Sequence, residues 1–141
     1  MVVEFKQTVR VPVAHLYKVL IQSAAYDIQQ HSSQEIDDTE LKGITYEKSF
    51  NQSASAEITI TDQIANRSYG FQTVTPKRTF HTLYQLEEMN DKCRVVYQEE
   101  LTSERKIQQI NDLVMSWFMQ RSKKKRLSLL FHAIEKEYQE Q

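Results

Sequence analysis

The chain has 141 residues, of which 40% are hydrophobic and 26% charged, and this fits one globular domain spanning residues 1–141. Its formal net charge of −1 argues against a nucleic-acid partner, because binding to the phosphate backbone requires a surplus of Lys and Arg. One cysteine, Cys93, and four scattered histidines allow no internal disulfide and no metal site, so we predict neither a metal nor another cofactor.

The N-terminal segment MVVEFKQTVR lacks the charged start and the apolar run of a signal peptide. Elsewhere, no stretch approaches the ~20 apolar residues that a membrane span requires. We therefore expect a cytoplasmic protein without integral membrane association.

Residues 2–10 alternate between apolar and polar side chains, which predicts a first β-strand. Pro12 follows, where a helix would begin, and apolar residues then recur at helical spacing. Ser23 could cap a second helix that ends near His31, so the pattern predicts two short helices. The polar and acidic residues 32–40 predict a surface loop.

From Leu41 to Ser103 the apolar pattern has a period of two, which predicts five further strands at about ten-residue spacing. Asn supports tight turns because it tolerates a positive φ. The predicted hairpin turns are Asn51-Gln52, Ala65-Asn66 and Asn90-Asp91. The strands should therefore form an antiparallel meander, with the first strand closing one edge.

Residues 104–138 contain neither Gly nor Pro, which predicts a helix about 50 Å long. Its apolar residues form two stripes that are rotated relative to each other, one over 107–118 and one over 127–138. Between them lies a basic run, 121–126, which either attracts an anionic head group or forms a solvated face. Arg121 continues the first stripe, so it is the cation that we expect at a cavity.

Two segments carry a resemblance to a known superfamily: VEFKQTVRVPVAHLYKVLIQSAAYDIQQH at the N-terminal end and INDLVMSWFMQRSKKKRLSLLFHAIEKEY at the C-terminal end. The order of strand, helices, meander and long helix resembles the helix-grip superfamily, and more narrowly its small uncharacterised members from Gram-positive bacteria. That superfamily includes START domains, pollen-allergen-like proteins, polyketide cyclase/aromatases and the activator of the Hsp90 ATPase. The resemblance implies an α+β fold in which a curved antiparallel sheet of about six strands wraps around the C-terminal helix and encloses a cavity. Loop 32–40 departs from the enzyme-like relatives, which often place a Trp there.

Aromatic residues are frequent on the strand faces predicted to point inward. They are Tyr46, Phe50, Tyr69, Phe71, Phe80, Tyr84 and Tyr97. Tyr combines an apolar ring with a hydroxyl group, which suits a cavity for a ligand of mixed polarity, although tyrosine also favours strands for its own sake. The predicted ligand-binding residues are Tyr46, Tyr69, Tyr84, Trp117 and Arg121.

Three functions remain open on this pattern. The first is non-catalytic binding of a small apolar or amphipathic molecule in the cavity. The second is a cyclase/aromatase-like or hydrolase-like enzyme, which would need an acid–base pair inside the cavity, such as His81 with Glu99 or with a tyrosine. Without such a partner, His81 is expected to be a surface residue on the outer face of the sheet. The third is a protein-interaction module like the Hsp90 ATPase activator, and a homodimer also remains open.

Overall fold

A computed structural model describes residues 2–51, 54–76, 78–103 and 106–140, and for residues 50, 51, 54, 103 and 106–121 it describes the backbone only. Six strands and two helices follow one another along the chain. They are β1 (Val2–Val9), α1 (Val13–His31), β2 (Thr45–Asn51), β3 (Ala54–Ile64), β4 (Ser68–Val74), β5 (Arg78–Met89), β6 (Lys92–Ser103) and α2 (Lys106–Gln139).

The strands form one open antiparallel sheet in the order β1-β6-β5-β4-β3-β2. This confirms the predicted meander, with β1 added at the edge beside β6. Asn66 and Asn90 have φ values of 61° and 58° at the turns that follow β3 and β5, as a tight connection requires. Gln52, in the remaining predicted turn, lies outside the described residues.

Helix α1 corrects the prediction of two short helices, since it runs without interruption for 19 residues. Ser23 lies inside it and does not cap a second helix. Neither Gly nor Pro occurs between Val13 and His31, and a serine costs only a few tenths of a kcal/mol in a helix interior. Apolar residues on both sides of Ser23, among them Leu20 and Ala24, are buried, so packing continues through this point.

Both helices pack against one face of the sheet, which we call the inner face. The predicted alternation is confirmed in β3, where Ala56, Ile58 and Ile60 are all buried. Phe131 of α2 is fully buried in the core cluster. Cys93 of β6 is also fully buried, where it acts as a small apolar core residue.

Candidate functional site

A cleft of about 510 Å³ lies between α1, the inner face of strands β2 to β5, and the second half of α2. Its walls combine aliphatic and aromatic side chains with a few polar groups. The described residues that line it are Val19, Leu20, Ser23, Ala24, Tyr26, Asp27, Tyr46, Lys48, Ile58, Tyr69, Phe71, Thr73, Tyr84, Lys123, Leu130 and Ile134.

A row of aromatic side chains, which we call the aromatic row, crosses four neighbouring strands, and two of its members, Tyr69 and Tyr84, form part of the cleft floor. The row is Phe5, Tyr97, Tyr84 and Tyr69, each paired with the next across the sheet. The ring centroids of Tyr84 and Tyr97 are 5.0 Å apart in an edge-on arrangement, and those of Tyr69 and Tyr84 are 5.9 Å apart with nearly parallel planes. Cross-strand aromatic pairs of this kind stabilise a sheet and fix side-chain positions.

Asp27 of α1 organises a first polar cluster at the cleft wall. Its two carboxylate oxygens accept hydrogen bonds from the Tyr46 hydroxyl at 2.6 Å and from the Lys48 ammonium at 2.9 Å. Partial burial alone would raise the pKa of the Asp27 carboxyl, but these two hydrogen bonds and the nearby positive charge outweigh burial and lower it. Asp27 is therefore ionised at neutral pH, and it ties α1 to β2.

Glu99 of β6 organises a second polar cluster beside the aromatic row. Its Oε2 accepts a hydrogen bond from the Tyr97 hydroxyl at 2.7 Å and lies 3.3 Å from the Lys123 ammonium of α2. The same ammonium lies 5.7 Å from the centroid of the Tyr97 ring, within the range of a cation–π contact. This cluster holds Lys123 at the cleft wall.

Tyr69 and Tyr84 differ from the other inner tyrosines because, in the described part of the chain, neither hydroxyl has a hydrogen-bond partner. Burial raises the pKa of Tyr84 to about 12, with a smaller contribution from the Glu99 charge. Burial likewise raises the pKa of Tyr69, and its neighbours Tyr84 and Asp27 add to the effect. Both hydroxyls therefore stay protonated at neutral pH and remain available as donors.

The structure brings three of the five predicted ligand-binding residues to the cleft, namely Tyr46, Tyr69 and Tyr84. The side chains of Trp117 and Arg121 lie outside the described residues, so their placement stays a prediction.

The structure does not bring His81 and Glu99 together. His81 is exposed and pairs across the sheet with Glu100 and Gln72, whereas Glu99 is buried on the opposite, inner face. Across the described segments, no three His, Cys, Asp or Glu side chains come together to hold a metal ion.

None of the three charged residues in the described cleft lining, Asp27, Lys48 and Lys123, was predicted from the sequence as a ligand-binding residue. The sequence does contain a signal for Lys48, because it is two residues from Tyr46 and therefore lies on the same inward face of the strand. A charged side chain on an otherwise apolar face needs a partner of opposite charge. Lys123 was only one of several cations in the basic run. Asp27 lies on a helix whose rotation against the sheet cannot be derived from spacing alone.

Comparisons with known proteins agree with the architecture. The model of a family described as "Domain of unknown function (DUF3284)" matches residues 3–120. No curated protein matches the sequence. No helix in the described ranges has the length and apolar character that spanning a membrane requires.

Solved structures with similar folds share little sequence with this chain. The Aha1 dimer from Colwellia psychrerythraea has a TM-score of 0.60 at 14% identity, covering 96% of both chains. Ara h 8.0201 has a TM-score of 0.61 at 11% identity, covering 100% of this chain and 99% of the other. CalU16 from Micromonospora echinospora has a TM-score of 0.52 at 16% identity, covering 86% and 70%. The open six-stranded sheet with its C-terminal helix matches the helix-grip fold, and at these identities the likeness concerns the fold alone.

Proposed function

The chain belongs to the DUF3284 family, and we propose that it is a non-catalytic protein that binds a small apolar or amphipathic molecule in the cleft. The observation that carries this proposal is the composition of the cleft wall. Aliphatic and aromatic side chains make up most of it, and a small number of polar groups are fixed at defined positions. Sites for small molecules combine these two features, and typical volumes of ~300–1,000 Å³ include the 510 Å³ found here.

The polar groups of the cleft support binding better than catalysis. Asp27 and Glu99 each accept a hydrogen bond from a tyrosine hydroxyl and lie against a lysine ammonium, so both carboxyl groups are already engaged within the protein. A general base must instead reach the proton that it removes and titrate near the working pH. His81 and Glu99 lie on opposite faces of the sheet, which argues against this pair as the acid and base of an enzyme.

A test of this proposal uses the uncharged dye Nile red, whose fluorescence reports transfer into an apolar site. Thr73 lies on the cleft wall, and its neighbour Gln72 lies on the outer face of the same strand. A Thr73→Trp substitution should fill the cleft and weaken dye binding by at least about tenfold. Gln72→Trp introduces the same side chain outside the cleft and should leave binding within about twofold of the parent.

Two further results bear on the same proposal. His81→Ala should leave Nile red binding unchanged, since His81 is exposed on the outer face. Native mass spectrometry of freshly purified protein should show a co-purified small molecule that Thr73→Trp displaces. Equal binding by the parent and Thr73→Trp, with no co-purified molecule, would remove the cleft as the binding site.

A further inference from the structure

We infer that the ligand is uncharged and carries a carbonyl-type oxygen that accepts hydrogen bonds from the hydroxyls of Tyr69 and Tyr84. The inference rests on the proposed function, and it names the chemical class of molecule that the cleft selects. Two observations carry it: which tyrosine hydroxyls are already engaged, and how the charges around the cleft balance.

The inner tyrosines divide into two kinds by their hydrogen bonds. The hydroxyls of Tyr46 and Tyr97 donate to carboxylates of the protein at 2.6 and 2.7 Å. The hydroxyls of Tyr69 and Tyr84 have no partner among the described residues, although both side chains line the cleft from paired positions of neighbouring strands. A phenolic hydroxyl is therefore available on each of the two strands at the cleft floor.

A ligand that covers these hydroxyls must replace the contacts with water that it removes. Tyr69 is only 8% exposed, so little access to water remains once the cleft is occupied. A pure hydrocarbon would leave two donors without an acceptor, which is unfavourable in an apolar site. A carbonyl oxygen offers two lone pairs and can accept from both hydroxyls.

The balance of charge favours an uncharged acceptor over a carboxylate. Lys48 is paired with Asp27 and Lys123 with Glu99, so the formal charges of these two pairs sum to zero. The negative charges of Asp27 and Glu99 also act on Tyr69 and Tyr84, respectively. A ligand carboxylate at these hydroxyls would lose its hydration without meeting a net positive charge, whereas a neutral carbonyl has much less hydration to lose.

The experiment compares three probes of nearly equal size: fluorene, 9-fluorenone and fluorene-9-carboxylate. Equilibrium dialysis, with free probe measured by absorbance, gives the affinity of each for the parent, Tyr69→Phe, Tyr84→Phe and the double variant. Tyr138→Phe makes the same change on α2 outside the cleft and serves as the matched control. Because the two hydroxyls have no partner among the residues that the structure describes, their removal should leave the fold intact.

We expect the parent to bind 9-fluorenone about tenfold more tightly than fluorene, as one or two hydrogen bonds to a neutral acceptor imply. The double variant should lose this preference and keep its affinity for fluorene, and Tyr138→Phe should behave as the parent. An apolar cleft without hydrogen-bond donors would instead bind fluorene at least as tightly as 9-fluorenone, because burying a carbonyl group without a hydrogen-bond partner is unfavourable.

The outcomes separate this inference from the function on which it rests. If fluorene binds in the cleft but 9-fluorenone gains nothing, or if its gain survives the double substitution, the inference fails and the proposed function stands. If fluorene-9-carboxylate binds most tightly, the ligand is an anion and the charge argument is wrong. If Thr73→Trp leaves the binding of all three probes unchanged, the proposed function fails as well.

Discussion

Replacing Tyr97 with phenylalanine removes one buried hydroxyl from the aromatic row and leaves the ring in place. Tyr97 is 1% exposed and Glu99 9% exposed, and the hydroxyl donates to the carboxylate at 2.7 Å. A buried hydrogen bond to a charged group contributes about 1.5–3 kcal/mol. Glu99 keeps the Lys123 ammonium at 3.3 Å, so its carboxylate is not left without a partner. We therefore expect a loss near the lower end, about 2 kcal/mol.

Urea unfolding at pH 7, followed by circular dichroism at 222 nm, measures this loss. With a denaturant dependence of about 2 kcal/mol/M, the midpoint of Tyr97→Phe should fall by about 1 M. Tyr84→Phe is the matched control, because the two rings are in contact and the Tyr84 hydroxyl has no partner in the described segments. Its free energy of unfolding should change by less than about 0.5 kcal/mol. Equal losses in both variants, or none in Tyr97→Phe, would refute the distinction between engaged and available hydroxyls.

Three further predictions concern the structure outside the cleft. Hydrogen bonds from Arg10 and His132 outweigh burial and lower the pKa of the Glu135 carboxyl, so Glu135→Gln should lower the free energy of unfolding by about 1 kcal/mol at pH 7. A carboxyl whose pKa is lowered by folding stabilises the protein above its unfolded-state pKa and loses this effect as the pH falls, so urea titrations should show the difference between parent and variant shrinking below about pH 4.5. Burial raises the pKa of Cys93 to about 11, so at pH 8 a disulfide reagent should modify it only as fast as the chain unfolds. Gly70→Ala should lower the free energy of unfolding by about 1–3 kcal/mol, because the added Cβ would lie 3.0 Å from the Thr82 carbonyl oxygen and 3.1 Å from the Leu83 side chain. At Gly43 an added Cβ would meet nothing within 4 Å, so any cost of Gly43→Ala would come from the backbone φ of +94°.

The sheet could be predicted from sequence because each strand carries its own signal. In β3 the alternation of Ala56, Ile58 and Ile60 with polar residues identified the buried face before any neighbour was known. Asn66 and Asn90 supplied turns at the right places because few other residues tolerate their backbone conformation. Sequential strands joined by short turns then pair as neighbours, which gives the meander.

The division of α1 was wrong because a local signal was given more weight than packing. Ser23 is a good N-cap residue, but capping is worth only about 1 kcal/mol. The residues that continue the buried face of the helix, such as Ala24 and Ile28, contribute more through the apolar area that they bury. Sequence alone does not show which contacts are available to them.

The aromatic half of the cleft could be predicted, and the ionic half could not. Tyr46, Tyr69 and Tyr84 follow from the period-two pattern once the inner face is identified. The pairing of Asp27 with Lys48 depends on how α1 is rotated and placed over β2, a relation between distant segments that no spacing encodes.

The positions of the four inner tyrosines in the sheet explain how one residue type can serve two purposes. Across the strand order from β6 to β2, Tyr97 comes first and Tyr46 last, with Tyr84 and Tyr69 between them. The two flanking tyrosines donate to Glu99 and Asp27, and these carboxylates in turn hold Lys123 and Lys48 at the cleft wall. Ionic groups are thus satisfied at both sides of the floor, and the donors left over lie at its centre. A ligand recognised there would meet rigid, uncharged donors, so its carbonyl group would decide affinity more than its charge.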